Sequence, residues 1–197
     1  MAYDRQAALA YARAFWNRPA DDGYVAGEFA GRDYLAVPDG ARFVHDFDDG
    51  FALGTEHLLL PDGRRWEWSA LDDCTHFMSC CLGAPAGGLE LPSELGEPYG
   101  IVGADRLVRH LVRANLVEVI PVADKRAPPL ERIAAGDLVG YYSRPRSRYV
   151  HLAMYLGDGR IACHTYCRSD DPACTWDNRF TLGDSDDGWR WSLLRIR

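Results

Sequence analysis

The sequence predicts an α+β domain, on three observations. Apolar residues recur at helical spacing over 3–16, 73–82 and 104–114. Short apolar or alternating runs at 138–142, 149–156, 160–166 and 190–196 read as strands, and 115–120 as a loop entering one. Asp158-Gly159 lies between two of these runs, and Asp-Gly in that place is a hairpin signal, so antiparallel pairing is expected there. A chain of 197 residues with ordinary apolar content suits a single domain with a substantial core, read here as 1–197.

The first helix, 3–16, presents Ala7, Ala8, Tyr11, Ala14 and Phe15 on one stripe, and Asn17-Arg18-Pro19 ends it. From 20 to 71 the apolar residues are scattered among glycines and acids, which predicts short strands and turns. Pro38-Asp39-Gly40 and Pro61-Asp62-Gly63 carry turn chemistry. Glu56–Leu60 and Arg64–Trp68 read as a hairpin with Trp66 and Trp68 on one face. This segment either walls a cleft or forms a surface layer with its own small core. His45 among Asp46, Asp48 and Asp49 reads as a solvated turn rather than a metal site, and His57 as structural or exposed.

After the mid-chain helix, Gly83 to Gly88 breaks the chain, and the run to Pro98 is loop. Leu107, Val108, Leu111 and Val112 line the helix at 104–114. Gly136-Asp137 turns into the strand at 138–142, and Arg144, Arg146 and Arg148 form a small basic cluster before the next strand. Beyond His164 the chain is acidic and irregular until the closing strand at 190–196.

The formal charge is -7 with no lysine- or arginine-rich block, so no nucleic-acid partner is expected. No segment is long and apolar enough to span a bilayer, and the first residues lack a signal-peptide pattern. The expectation is a cytoplasmic protein, or one exported by a route without a classical signal peptide. Six cysteines do not fix the redox compartment. Cys163, Cys167 and Cys174 lack paired Cys-x-x-Cys spacing, so no metal or cofactor is expected, and a disulfide among them stays open.

The chemistry centres on Asp72-Asp73-Cys74-Thr75-His76-Phe77-Met78-Ser79-Cys80-Cys81-Leu82. Asp73 or Asp72 is expected to cap the helix by accepting its free N–H groups. Cys74 then occupies the first turn, where those groups and the helix dipole favour a thiolate. His76 faces elsewhere, and Cys80 and Cys81 lie deeper in the helix.

A thiolate needs a base, and the Asp158-Gly159 hairpin offers His151. If Gly157 pairs with Arg160, counting back sets Ala153 opposite His164 and His151 opposite Tyr166. The two imidazoles then share a face as diagonal neighbours, whereas a one-residue change in the count separates them. The first register is the one expected, because it unites the histidines.

Asp73 to Leu82 resembles the nucleophile helix of bacterial putative amidase domains, relatives of the NlpC/P60 cysteine peptidases in the papain-like group. Gly136-Asp137-Leu138-Val139, His151 to Gly159 and His164-Thr165 resemble the rest of that pattern, and Tyr11 to Asn17 its opening helix. The segment at about 21–71 does not match and reads as an insertion. The resemblance implies a papain-like fold, with N-terminal helices packed on an antiparallel sheet. It implies Cys74 as nucleophile, His151 as base and His164 as the residue orienting it; Asp170, on the loop that follows, is the alternative orienting residue. The implied reaction is cleavage of a peptide-like or other amide through a thioester on Cys74. A transferase using the same pair and a non-catalytic binding module are the rivals.

Overall fold

The computed structural model describes residues 2–46, 55–84, 86–93, 100–124, 126–165, 176 and 188–197. Helix α1 (Arg5–Phe15) begins at Asp4, whose carboxylate accepts the Ala7 N–H at 2.9 Å and so satisfies one of the donors a helix start leaves open. Its Ala8, Leu9, Tyr11 and Ala12 are buried, so the buried face shares Ala8 and Tyr11 with the stripe read from the sequence but turns toward Leu9 and Ala12 and leaves Ala14 exposed.

Between α1 and the mid-chain helix lie two small antiparallel sheets. Strands β1 (Tyr24–Phe29) and β2 (Arg32–Ala36) pair with each other. Strands β3 (Arg42–Asp46), β4 (Thr55–Leu59) and β5 (Arg65–Trp66) form the second. The hairpin expected at 56–68 is there, with Leu58 opposite Trp66, but Trp68 leaves the strand for a 3-10 turn over 68–70. These strands enclose their own cluster, built on Val25, Phe29, Phe43, Leu58, Leu60 and Leu71. Gly27 makes a bridge to Leu71, and a Cβ there would stand 2.0 Å from the Ala70 carbonyl oxygen. The small layer is thus stitched to the chain entering the next helix.

Helices α2 (Cys74–Leu82) and α3 (Ala104–Arg113) pack with α1 on one face of a five-stranded sheet. Its strands are β6 (Val117–Pro121), β7 (Leu138–Ser143), β8 (Arg148–Gly157), β9 (Arg160–Ala162) and β10 (Trp189–Ile196), in the order β6-β10-β7-β8-β9. Every neighbouring pair is antiparallel. Leu138, Leu152, Met154 and Leu194 meet Phe77, Met78, Leu107 and Leu111 on the helical side. Val139, Tyr141, Ala153, Tyr155, Ile161 and Leu193 form a second cluster on the other side, with Trp176 and Trp191. Because both faces are covered, β8 reads in sequence as a continuous apolar run rather than an alternation. The fold is α+β with antiparallel sheets, as expected.

Asp137 locks the first helix to this sheet. Its fully buried carboxylate takes Arg5 Nη1 at 2.7 Å, the Ile196 N–H at 2.8 Å and the Ala134 N–H at 2.8 Å. Arg5 Nη2 also donates to the Ile196 carbonyl at 3.1 Å, and the Tyr3 hydroxyl to the Gly136 carbonyl at 2.6 Å. No helix among the described residues is long and apolar enough to cross a membrane.

The β8–β9 register departs from expectation. Gly157 pairs with Arg160 around Asp158-Gly159, as read from the sequence. A bulge between Tyr155 and Gly157 then shifts the count by one, so Tyr155 faces Ile161 and Met154 faces Ala162. Carried on, that count sets Leu152, not Ala153, across from His164. His151 and His164 therefore fall on opposite faces, because residues facing each other alternate between faces along the strand.

Candidate active site

Cys74 opens α2, and its N–H lies in the first turn, where no partner exists within the helix. His151 is carried by β8, buried, with the Tyr141 ring 5.2 Å away centre to centre. Tyr141 is itself pinned by its hydroxyl donating to the Trp176 carbonyl at 2.8 Å. Cys74 and His151, distant in sequence, line one cavity of about 520 Å3, together with Asp72, Ser143, Arg146 and Thr165. Asp72 and Arg146 also line a more polar groove of about 710 Å3, with Arg106 and Arg148. Of the basic cluster read from the sequence, Arg146 and Arg148 thus reach this region.

Asp72 stands at the junction of these spaces. Burial pushes its carboxyl above the ordinary value, while the charges of His151 and Arg148 pull the other way. His151 and Asp72 thus feel each other electrostatically across the cavity that Cys74 lines.

His164 is elsewhere. Its Nδ1 is 2.5 Å from Asp73 Oδ2, its Nε2 donates to the Phe15 carbonyl at 2.8 Å, and its ring stacks on Phe77 at 3.8 Å. With both ring nitrogens engaged, it does not orient His151 directly, which corrects the expected pairing. Asp170, the alternative, lies outside the described residues, as do Cys167 and Cys174. Cys163 is fully buried on the sheet face away from the helices.

The capping expectation is also corrected. Asp73 occupies the N-cap position of α2, yet its side chain makes no cap hydrogen bond. It turns into the interior instead. Oδ1 accepts the Ala26 N–H at 2.5 Å and lies 2.9 Å from His76 Nδ1, while Oδ2 takes His164. Burial alone would raise this carboxyl; the His76 charge and the hydrogen bonds from His164 and His76 outweigh it and hold it down to about 2.

His76 continues the chain of contacts, with Nε2 2.8 Å from Asp22 Oδ2. Burial disfavours its charge, but Asp73, Cys80 and Asp22 raise its pKa well above the ordinary value. The two carboxylates therefore hold an imidazolium between them. Cys80 Sγ lies 3.6 Å from both His76 Nε2 and Asp22 Oδ2, and burial pushes its thiol up. Sequence reasoning passed over this network. The spacing Asp73, His76, Cys80 marks one helix face and was legible. Asp22 arrives from another element, and only the fold brings it in.

Comparison with family models, with curated proteins and with solved structures finds no match for this chain. The reading of the site rests on its own residues and geometry.

Proposed function

We propose that the chain is a cysteine-dependent amidase or peptidase of papain-like type that works through a thioester on Cys74. One observation carries the reading: a thiol at a helix start and an imidazole from a distant strand line the same cavity. In the proposed cycle His151 takes the Cys74 proton, and Sγ attacks the carbonyl carbon of the amide. The negative charge that develops on the carbonyl oxygen meets the Cys74 N–H. His151 returns its proton to the leaving amine, and a water deprotonated by His151 then releases the acid and restores the thiol. This is the logic of the thiol–imidazole variants of the serine triad, in which a third group steadies the base.

Asp72 takes the third role in this proposal, because it lines the same cavity as Cys74 and His151 and its charge acts on the imidazole. His164 becomes a positioning residue that steadies Asp73 beside the nucleophile.

The test is turnover of a panel of fluorogenic peptide and amide substrates by the full chain, with hydroxylamine added to intercept the acyl group. Loss of turnover in both Cys74→Ala and His151→Ala, with hydroxamate formed only by the wild type, supports the proposal. Full turnover by Cys74→Ala overturns it. Acyl transfer to an added amine in preference to water would place the chain among transferases using the same pair. A Cys74 that forms no acyl adduct with any substrate would leave a binding module.

A further inference from the structure

We propose that Asp22, His76 and Cys80 form a zinc site, separate from the Cys74 cavity, with a fourth coordination position open to a small oxygen or nitrogen donor. The three donor atoms, one carboxylate oxygen, one imidazole nitrogen and one sulfur, lie within 4.8 Å of one another. Zinc bonds of about 2.3 Å to sulfur and about 2.0 Å to nitrogen or oxygen, at tetrahedral angles, separate sulfur from either partner by about 3.5 Å. Both sulfur separations here are 3.6 Å. The nitrogen–oxygen separation is 2.8 Å, a hydrogen bond, against about 3.3 Å around zinc. Entry of the ion therefore asks the Asp22 carboxylate to move by about half an ångström.

Three features beyond the donor set point the same way. His76 and Cys80 are four residues apart on α2, so one rigid helix face presents both. The second nitrogen of His76 is held by Asp73 at 2.9 Å, the carboxylate–histidine arrangement that fixes the tautomer and basicity of a zinc-bound imidazole. Asp22 and Cys80 also line a cavity of about 650 Å3, none of whose lining residues belongs to the cavity of Cys74 and His151. Three protein ligands, two of them lining open space, match the donor count of zinc sites that bind water or substrate.

The exchange balances in protons. Asp22 only accepts, so the His76–Asp22 bond carries a proton on Nε2, and Cys80 is a buried thiol. Binding replaces those two protons with the ion and leaves the His76 Nδ1–H on Asp73. The whole reaction is Zn2+ plus the protonated pair giving the zinc thiolate–imidazole and two released protons.

The experiment uses the full chain freed of metal with a chelator, carrying Cys167→Ala and Cys174→Ala so that thiols outside the described residues do not contribute. Cobalt(II) is titrated as the spectroscopic probe and zinc by competition with a chromophoric chelator, while calorimetry in buffers of differing ionisation enthalpy counts protons. The expected result is one equivalent of cobalt, a thiolate-to-cobalt charge-transfer band with tetrahedral visible bands, and release of about two protons. Cys80→Ala loses the charge-transfer band, and His76→Gln weakens zinc binding at least tenfold. Asp73→Asn weakens it about tenfold through the lost support of the imidazole. Cys74→Ala leaves binding unchanged. Circular dichroism confirms that each variant is folded. No binding at micromolar metal, a charge-transfer band that survives Cys80→Ala, or one lost with Cys74→Ala overturns the site.

Discussion

Asp73→Asn tests whether the buried carboxylate, rather than its shape, organises the start of α2. In the metal-free protein the carboxyl is held down from 3.8 to about 2 by His76 and His164, against the opposing effect of burial. That shift corresponds to about 2–3 kcal/mol of stability, at roughly 1.4 kcal/mol per pKa unit. A depressed carboxyl contributes fully above its unfolded value and loses its contribution as the pH falls through its folded value. A raised histidine, as His76 is, contributes fully below its unfolded value and loses it as the pH rises through its folded one. The shared Asp73–His76 interaction, counted once, gives a plateau between about pH 4 and pH 6.5. Asparagine keeps the volume, and its amide can donate to His164 Nδ1 if that ring holds its proton on the nitrogen bound to Phe15. The loss should then be the charge alone, about 2–3 kcal/mol, or roughly 5–10 °C in Tm for a chain of this size. Alanine removes the partners' acceptor and should cost about 3–5 kcal/mol. Urea unfolding in chelator, followed from pH 6 to pH 2.5, reads both quantities. An asparagine variant within 0.5 kcal/mol of wild type on the plateau, or a gap that stays constant down to pH 2.5, refutes the reasoning.

Three further outcomes follow from the same structure. Asp137→Ala removes the acceptor of Arg5, Ile196 and Ala134 and should lower stability by about 3 kcal/mol, with hydrogen exchange rising first in α1 and β10; an unchanged exchange pattern would contradict the role given to that carboxylate. Gly27→Ala forces a Cβ into the Ala70 carbonyl and should cost about 2 kcal/mol or more while slowing turnover, because the displaced segment leads into Cys74; a neutral variant would show that the approach relaxes freely. Asp72→Asn should lower kcat/KM by about tenfold, equal to about 1.4 kcal/mol. Since Asp72 titrates above an ordinary carboxyl, the acid limb of the wild-type pH–rate profile should also move when it is replaced, and an identical limb would remove Asp72 from the site.

Much of the architecture was legible because it is local. The existence of α1, the helix beginning at Cys74, the Asp158-Gly159 turn and the runs that became β7, β8 and β10 each declare themselves over a few residues, although the buried face of α1 turns toward Leu9 and Ala12 rather than Ala14. The bulge at Leu156 did not, since no composition rule separates a strand with one extra residue from one without, and that single residue moved His164 to the other face. Asp73 read as a cap because an aspartate before a helix usually is one. Its carboxylate turns inward here because Ala26, His76 and His164 converge on it, and two of those three come from distant chain. The pairing of Cys74 with His151 was proposed from chemical need, and the fold supplies a cavity that both line.

The reactivity of Cys74 separates a nucleophile from an inert buried thiol. Alkylation by iodoacetamide, resolved thiol by thiol by mass spectrometry across pH, compares Cys74 with Cys80 and Cys81, whose thiols burial pushes up. The account predicts that Cys74 reacts first, and that His151→Ala slows it by at least about tenfold at neutral pH while leaving the other two unchanged. A Cys74 no faster than Cys80 and Cys81, or one indifferent to the loss of His151, would contradict it.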